Sequence, residues 1–83
     1  MYKYKGHTGI IFRIILSKKE DRLYSCSDDG TIKVWDVVKE RLIGEFNGHK
    51  NSVFEILLSN DGKTLYSCSE DKTIIAWNEK TRG

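Results

Sequence analysis

The chain repeats itself after 42 residues, and that period limits its architecture more than any other feature. Sliding the sequence by that offset lays Gly6-His7 on Gly48-His49 and Leu23-Tyr24-Ser25-Cys26-Ser27 on Leu65-Tyr66-Ser67-Cys68-Ser69. Phe12, Ile14, Leu16, Ser17, Asp29, Thr31, Ile32 and Trp35 fall on Phe54, Ile56, Leu58, Ser59, Asp71, Thr73, Ile74 and Trp77. Fifteen identities in one register, with no gap, mark a tandem duplication. A repeat of this length is one supersecondary unit that covers its apolar surface by stacking on like units. The whole of 1–83 reads as one repeat segment, divided into 1–41 and 42–83, with no linker and no room for a second domain.

Each unit reads as short strands. Ile10 to Leu16 is an apolar run around Arg13. Arg22 to Ser27 alternates, with Tyr24 and Cys26 on one side and Leu23, Ser25 and Ser27 on the other. Thr31 to Trp35 alternates again, and Leu42 to Phe46 is a fourth run. These are strand lengths and strand periods, filled by the β-branched and aromatic residues that pleated surfaces favour. Turn formers separate them: Asp28-Asp29-Gly30 in the first unit, Asn60-Asp61-Gly62 in the second. Where the second unit has Asn-Asp-Gly, the first has Lys18-Lys19-Glu20-Asp21, which predicts a looser hairpin there. Four such strands make a small antiparallel sheet with apolar residues on both faces. One sheet alone leaves both faces wet, and stacking covers them.

Two dipeptides per unit carry a family resemblance. Gly6-His7 with Trp35-Asp36, and Gly48-His49 with Trp77-Asn78, resemble the WD-repeat β-propeller family, and Ser27 to Asp36 looks like a near-consensus stretch. Either dipeptide alone is weak; both, twice, at one period, are specific. The resemblance covers almost the whole chain. It implies an all-β fold of two four-stranded antiparallel propeller blades, part of a larger or oligomeric propeller. In that family the sequence repeat is offset from the blade. Residues 2–5 are then an outer strand. Residues 10–16, 22–27, 31–36 and 41–46 form one complete blade, and 52–58, 64–69 and 73–78 give the inner strands of the next. The resemblance also implies a buried hydrogen-bond set of His7, Ser25, Asp29 and Trp35, repeated as His49, Ser67, Asp71 and Trp77. The chemistry is sound on its own terms. A buried indole N–H needs an acceptor, a hydroxyl supplies it and donates to imidazole, and the other ring nitrogen donates to a carboxylate. Asn78 departs from the Trp-Asp signature at a position outside that set.

Ser, His and Asp together invite a catalytic triad, but a nucleophile must face a substrate pocket, and these are duplicated and tied to a buried Trp. We expect no enzyme activity. His7, His49, Cys26 and Cys68 are no compact metal set, since each His lies 19 residues from its Cys. The cysteines read as small apolar packing groups, and Tyr24 and Tyr66 as core or inter-blade residues. Tyr2 and Tyr4 alternate with Lys3 and Lys5, as an edge strand awaiting a partner would. No Gly-rich phosphate loop is present and no cofactor is expected.

The leading functional reading is a protein–protein interaction scaffold. The alternatives are a regulatory or targeting piece of a multidomain enzyme, and a self-assembling blade pair. In the family, partners dock on loops at one face of the ring; here that face carries Lys5, Thr8, Lys50, Asn51 and Ser52, with Asp28 and Lys72 from the turns. The expected partners are other proteins or peptides, and further blades in cis or from copies of the chain. Two blades do not close a ring, three copies would give six blades and four would give eight. The net charge of +2 comes from 14 basic and 12 acidic residues with the signs interspersed, which argues against nucleic acid. No apolar run approaches the roughly 18 residues of a membrane span, and Met1-Tyr2-Lys3-Tyr4-Lys5 leads into no signal core. With Cys26 and Cys68 unpaired, we expect an intracellular address, cytoplasmic or nuclear.

Overall fold

The computed structural model describes residues 1–81. The strands are β1 (Ile11–Leu16), β2 (Arg22–Ser27), β3 (Ile32–Asp36), β4 (Arg41–Phe46), β5 (Val53–Leu58), β6 (Thr64–Ser69) and β7 (Ile74–Asn78), followed by a 3-10 turn at Glu79–Thr81. Strands β1-β2-β3-β4 form one antiparallel sheet in chain order, and β5-β6-β7 form a second. The fold is all-β, as the periodicity requires. The second sheet has the three inner strands expected at 52–58, 64–69 and 73–78, with no fourth strand among the described residues. One expectation fails: residues 2–5 form no strand. Among the described residues no strand pairs with residues 2–5. Tyr4 instead meets the ring of Trp35 edge-on at 5.5 Å, and Tyr2 meets Tyr4 at 4.9 Å.

The core is the seam between the two sheets. Tyr24, Cys26, Ile32, Val34 and Phe46 of the first sheet bury themselves against Val53, Ile56 and Leu65 of the second. Phe46 reaches across to Trp77, ring centroids 5.2 Å apart. The register explains the selection. Tyr24 pairs with Val34 and Cys26 with Ile32, so all four side chains share one face, as period-2 alternation demands. The opposite face of the second sheet supplies the other half of the seam.

The duplication makes the sheets alike but not alike in burial. Ile32 is 0% exposed and its twin Ile74 is 78% exposed; Ile56 is 1% exposed and its twin Ile14 is 57% exposed. Tyr24 and Tyr66 differ in the same way, 2% against 44%. The second sheet thus buries one face and leaves the other open, whereas in the first sheet β2 and β3 are buried on both faces and most of the exposed apolar residues lie on β1. Both first strands carry a bulge at the same place, which sets Phe12 and Phe54 side by side with centroids 5.5 Å apart, both largely exposed.

The first hairpin is not looser than its counterpart. Glu20 N–H donates to Ser17 O at 2.9 Å and Gly62 N–H to Ser59 O at 2.9 Å, the same closure. Glu20 takes a left-handed φ of 59° where Gly62 takes 74°. A carboxylate side chain accepts this conformation at a cost that glycine avoids. Glu20→Gly should therefore raise unfolding stability by roughly 0.5–1 kcal/mol, read from urea midpoints at constant m.

The unequal burial also separates the two thiols. Cys26 lies in the seam, and burial, with Glu55 nearby, pushes its thiol up to about 11. Cys68 is only half-buried, on the open face. In the monomer, iodoacetamide at pH 8 should alkylate Cys68 at least tenfold faster than Cys26, because the thiolate is the nucleophile and access limits it. Peptide mass spectrometry of a time course reads both rates.

Candidate functional site

At one end of each sheet a histidine enters ahead of the first strand and meets the turn after the second. His7 Nε2 lies 2.7 Å from Ser25 Oγ, and His7 Nδ1 lies 2.9 Å from Asp29 Oδ2. Trp35 Nε1 donates to the same Ser25 Oγ at 2.9 Å. The second sheet repeats this with His49 to Ser67 at 2.7 Å, His49 to Asp71 at 3.0 Å, and Trp77 to Ser67 at 2.8 Å. One proton arrangement satisfies every atom: indole N–H to hydroxyl, hydroxyl to Nε2, Nδ1–H to carboxylate.

The repeat alignment holds further members that the motif reading missed. Thr31 donates its hydroxyl to Asp29 Oδ1 at 2.6 Å and its backbone N–H to the same oxygen at 2.8 Å. Thr73 does the same for Asp71, at 2.5 and 2.9 Å. Both threonines are identical across the duplication, which was the available signal. The backbone N–H of Thr8 donates to Asp29 Oδ2, and that of Lys50 to Asp71 Oδ2, each at 3.0 Å. Each aspartate therefore ties the loop before the first strand to the turn after the second.

The glycine of each Gly-His pair has a steric reason. A Cβ at Gly48 would stand 2.8 Å from Trp77 Cη2, and one at Gly6 would stand 3.1 Å from Trp35 Cη2. The indole edge packs directly on the backbone, so the loop comes close enough for the histidine to reach the serine.

The candidate partner-binding residues divide into two groups. Lys5, Thr8, Lys50, Asn51 and Lys72 are exposed. Ser52 is buried, and its hydroxyl donates to Asp28 Oδ1 at 2.5 Å across the seam. Ser52 and Asp28 therefore hold the two sheets together at this end. The repeat does not show this, because their counterparts Ile10 and Glu70 have different chemistry.

Other seam contacts also lie outside the motifs. Arg13 makes a bidentate pair with Glu55, Nε to Oε1 at 2.6 Å and Nη2 to Oε2 at 2.7 Å. At the opposite end, buried Glu79 accepts from the Tyr24 hydroxyl and from Arg22 Nη1, the latter at 3.0 Å. Burial, reinforced by Glu79, raises the Tyr24 phenol well above its ordinary value. These groups line a cleft of about 350 Å3 with Lys18, Ser59 and Asp61.

Burial pushes the Asp29 carboxyl up, but the hydrogen bonds from Thr31 and His7 outweigh it and hold the group well below the usual carboxylate range. Bonds from Thr73 and the Lys50 amide do the same for Asp71. A carboxyl depressed in the folded state stabilises it above the unfolded pKa, and that stabilisation is lost as pH falls toward the folded value. Stability should be flat above about pH 5 and fall steadily below about pH 4. Asp29→Asn should be less stable at pH 7 and show a shallower acid limb. Urea midpoints from pH 7 to pH 2.5 read both.

Ser25 is 2% exposed and sits beneath Trp35, so its hydroxyl is not presented to solvent. Among the described residues no three or more His, Cys, Asp or Glu side chains gather as metal ligands, and no helix is long and apolar enough to cross a membrane.

Two stacked antiparallel sheets in tandem, each locked by the same His–Ser–Trp–Asp network, define a repeat protein built from blade-like units. Residues 1–36 and 40–78 match the WD domain, G-beta repeat family. The chain belongs to that family. Over 42 residues it is 48% identical to WD repeat-containing protein 75 of Mus musculus. That stretch is 49% of this chain and 5% of the relative, so the chain spans a small part of the protein it matches.

Proposed function

We propose that the chain is a non-catalytic protein–protein interaction module whose binding surface is the histidine-set end of the sheets. The observation that carries this reading is the anchoring of two loops. Asp29 and Asp71 fix the backbone at Thr8 and Lys50 while the side chains of Lys5, Thr8, Lys50, Asn51 and Lys72 stay exposed. A surface held rigid in the free protein loses little entropy on binding, which favours affinity. Three lysines among five residues suit an acidic partner segment. The unpaired thiols Cys26 and Cys68 support an intracellular address, cytoplasmic or nuclear.

The test is selection from a displayed peptide library, followed by amide chemical-shift mapping of the selected peptides. Shifts should concentrate at Thr8, Lys50, Asn51 and Lys72. Lys50→Ala with Lys72→Ala should weaken binding tenfold or more without changing the melting temperature. Shifts centred elsewhere, or unchanged affinity in the double variant, would overturn the reading. Single-stranded and duplex DNA serve as competitors at 50 and 200 mM salt. Tighter, steeply salt-dependent DNA binding at the same residues would replace the protein partner with nucleic acid.

A further inference from the structure

We propose that Asn47 is a site of spontaneous covalent modification, at which the backbone nitrogen of Gly48 displaces the side-chain amide and the residue becomes isoaspartate or aspartate. The reaction does not depend on which partner the loops bind.

The chain holds three pairs in which Asp or Asn precedes glycine: Asp29-Gly30, Asn47-Gly48 and Asp61-Gly62. In each, the next backbone nitrogen can close a five-membered ring on the side-chain Cγ, and glycine has no Cβ to obstruct the approach. The fold closes two of the three to this reaction. Gly30 N–H donates to Ser27 O at 3.2 Å and Gly62 N–H to Ser59 O at 2.9 Å, so both nitrogens are committed to their turns. Their electrophiles are poor as well. Burial opposes ionisation of Asp29, but bonds from Thr31 and His7 keep it a carboxylate. The Ser59 hydroxyl and the Lys63 amide do the same for Asp61. An ionised carboxylate offers no leaving group.

Neither obstacle exists at Asn47-Gly48. Both residues are exposed, in the irregular segment between β4 and His49. The Gly48 N–H meets no acceptor among the described residues. Asparagine is a thermolabile side chain, because its neutral amide nitrogen can leave as ammonia. Asn51, Asn60 and Asn78 precede Ser52, Asp61 and Glu79, whose Cβ atoms crowd the attacking nitrogen. The Ser52 N–H is moreover held on Asn51 Oδ1 at 2.8 Å.

The step balances with water alone. The Gly48 nitrogen loses its proton to base and bonds to Asn47 Cγ. The Cγ–Nδ2 bond breaks, and Nδ2 takes up a proton and departs as ammonia. Water then opens the cyclic imide. Opening at the side-chain carbonyl gives aspartate. Opening at the backbone carbonyl gives isoaspartate, whose main chain is one carbon longer.

The neighbours of Asn47 make that extra carbon felt, because both pack on one indole. The Phe46 ring lies 5.2 Å from the Trp77 ring, and a Cβ at Gly48 would stand 2.8 Å from Trp77 Cη2. A longer chain between them cannot keep both contacts. Isoaspartate therefore lifts Gly48, draws His49 away from Ser67 and Asp71, and loosens the Lys50 amide that Asp71 holds. Either product also sets a new carboxylate against Glu45 Oε2, where Asn47 Nδ2 donates at 2.7 Å, and like charges repel. Lys5 stands at the equivalent place in the first unit, so the His7 network is spared.

The test holds the full 83-residue chain at 37 °C and pH 8 and follows it by peptide mass spectrometry, with fragmentation that separates isoaspartate from aspartate. Asn47 should convert at least tenfold faster than Asn51, Asn60 or Asn78, and faster than Asp29 or Asp61 forms an imide. Its rate should rise at least tenfold from pH 7 to pH 9 and stay within fivefold of that in a synthetic peptide of residues 43–50. Asn47→Lys, which copies the first unit, should stay folded and lose most of the ammonia release. In the separated isoaspartyl protein the Lys50 amide should exchange at least tenfold faster than before, and the Thr8 amide less than twofold faster. Faster conversion at any other asparagine, or a rate more than fivefold below that of the peptide, overturns the assignment of the site. Unchanged Lys50 exchange in the isoaspartyl protein overturns its coupling to the His49 network.

Discussion

Ile32→Ala should unfold most of the protein at 25 °C, while Ile74→Ala, the same change one repeat later, should leave the monomer's urea midpoint within error. The two isoleucines share a residue type, a strand and a register position, Cys26 opposite one and Cys68 opposite the other. They differ in what lies beyond. Ile32 is packed in the seam, and Ile74 faces water. Truncating a buried isoleucine costs about 2–5 kcal/mol, from lost transfer energy and the cavity left behind. A single core of this size holds roughly 3–5 kcal/mol in total. The first change removes most of that reserve, and the second should lie within about 0.5 kcal/mol of wild type. Tryptophan fluorescence reads both, because Trp77 packs against the seam. Equal effects at the two positions would mean that the sheets do not stack as described.

Much of this was legible in the sequence, for physical reasons that differ by feature. Strands 22–27 and 64–69 were marked to the residue, because alternation and turn formers coincide there. The family resemblance likewise rested on dipeptides whose spacing reflects one closed hydrogen-bond circuit. Asymmetry was not legible. A repeat alignment treats Tyr24 and Tyr66 as equals, yet only one has a neighbouring sheet. Glu79 sits where the first unit has Val37, so no repeat signal could flag its bond to Tyr24. Residues 2–5 carry a strand pattern but meet no strand among the described residues, and strand formation is a property of pairs. Lys18 to Asp21 lacks glycine, yet the hairpin closes in the same way, because the flanking ladder imposes the turn on Glu20.

Ser25→Ala should cost more than its duplicate Ser67→Ala, and the difference measures how far burial sharpens a hydrogen bond. Removing the Ser25 hydroxyl orphans two groups at once, the Trp35 indole N–H and His7 Nε2. Trp35 is 3% exposed, so water does not readily replace the lost acceptor. An unsatisfied buried polar group costs about 1–3 kcal/mol, and two of them in one chain approach its whole stability. Trp77 is less buried, so after Ser67→Ala solvent can take over part of the serine's role. The loss should also travel outward. Without the serine, His7 loses one of the bonds that orient it toward Asp29, and Asp29 is what holds the Thr8 amide. Hydrogen exchange at Thr8 and Thr31 should accelerate more than global destabilisation explains, while exchange at Lys50 follows the global value. The stabilising network and the loop surface would then be one device, with the buried serine setting the rigidity of what is presented to a partner. Equal costs for the two serines, or uniform acceleration of exchange at Thr8 and Lys50, would separate the two roles.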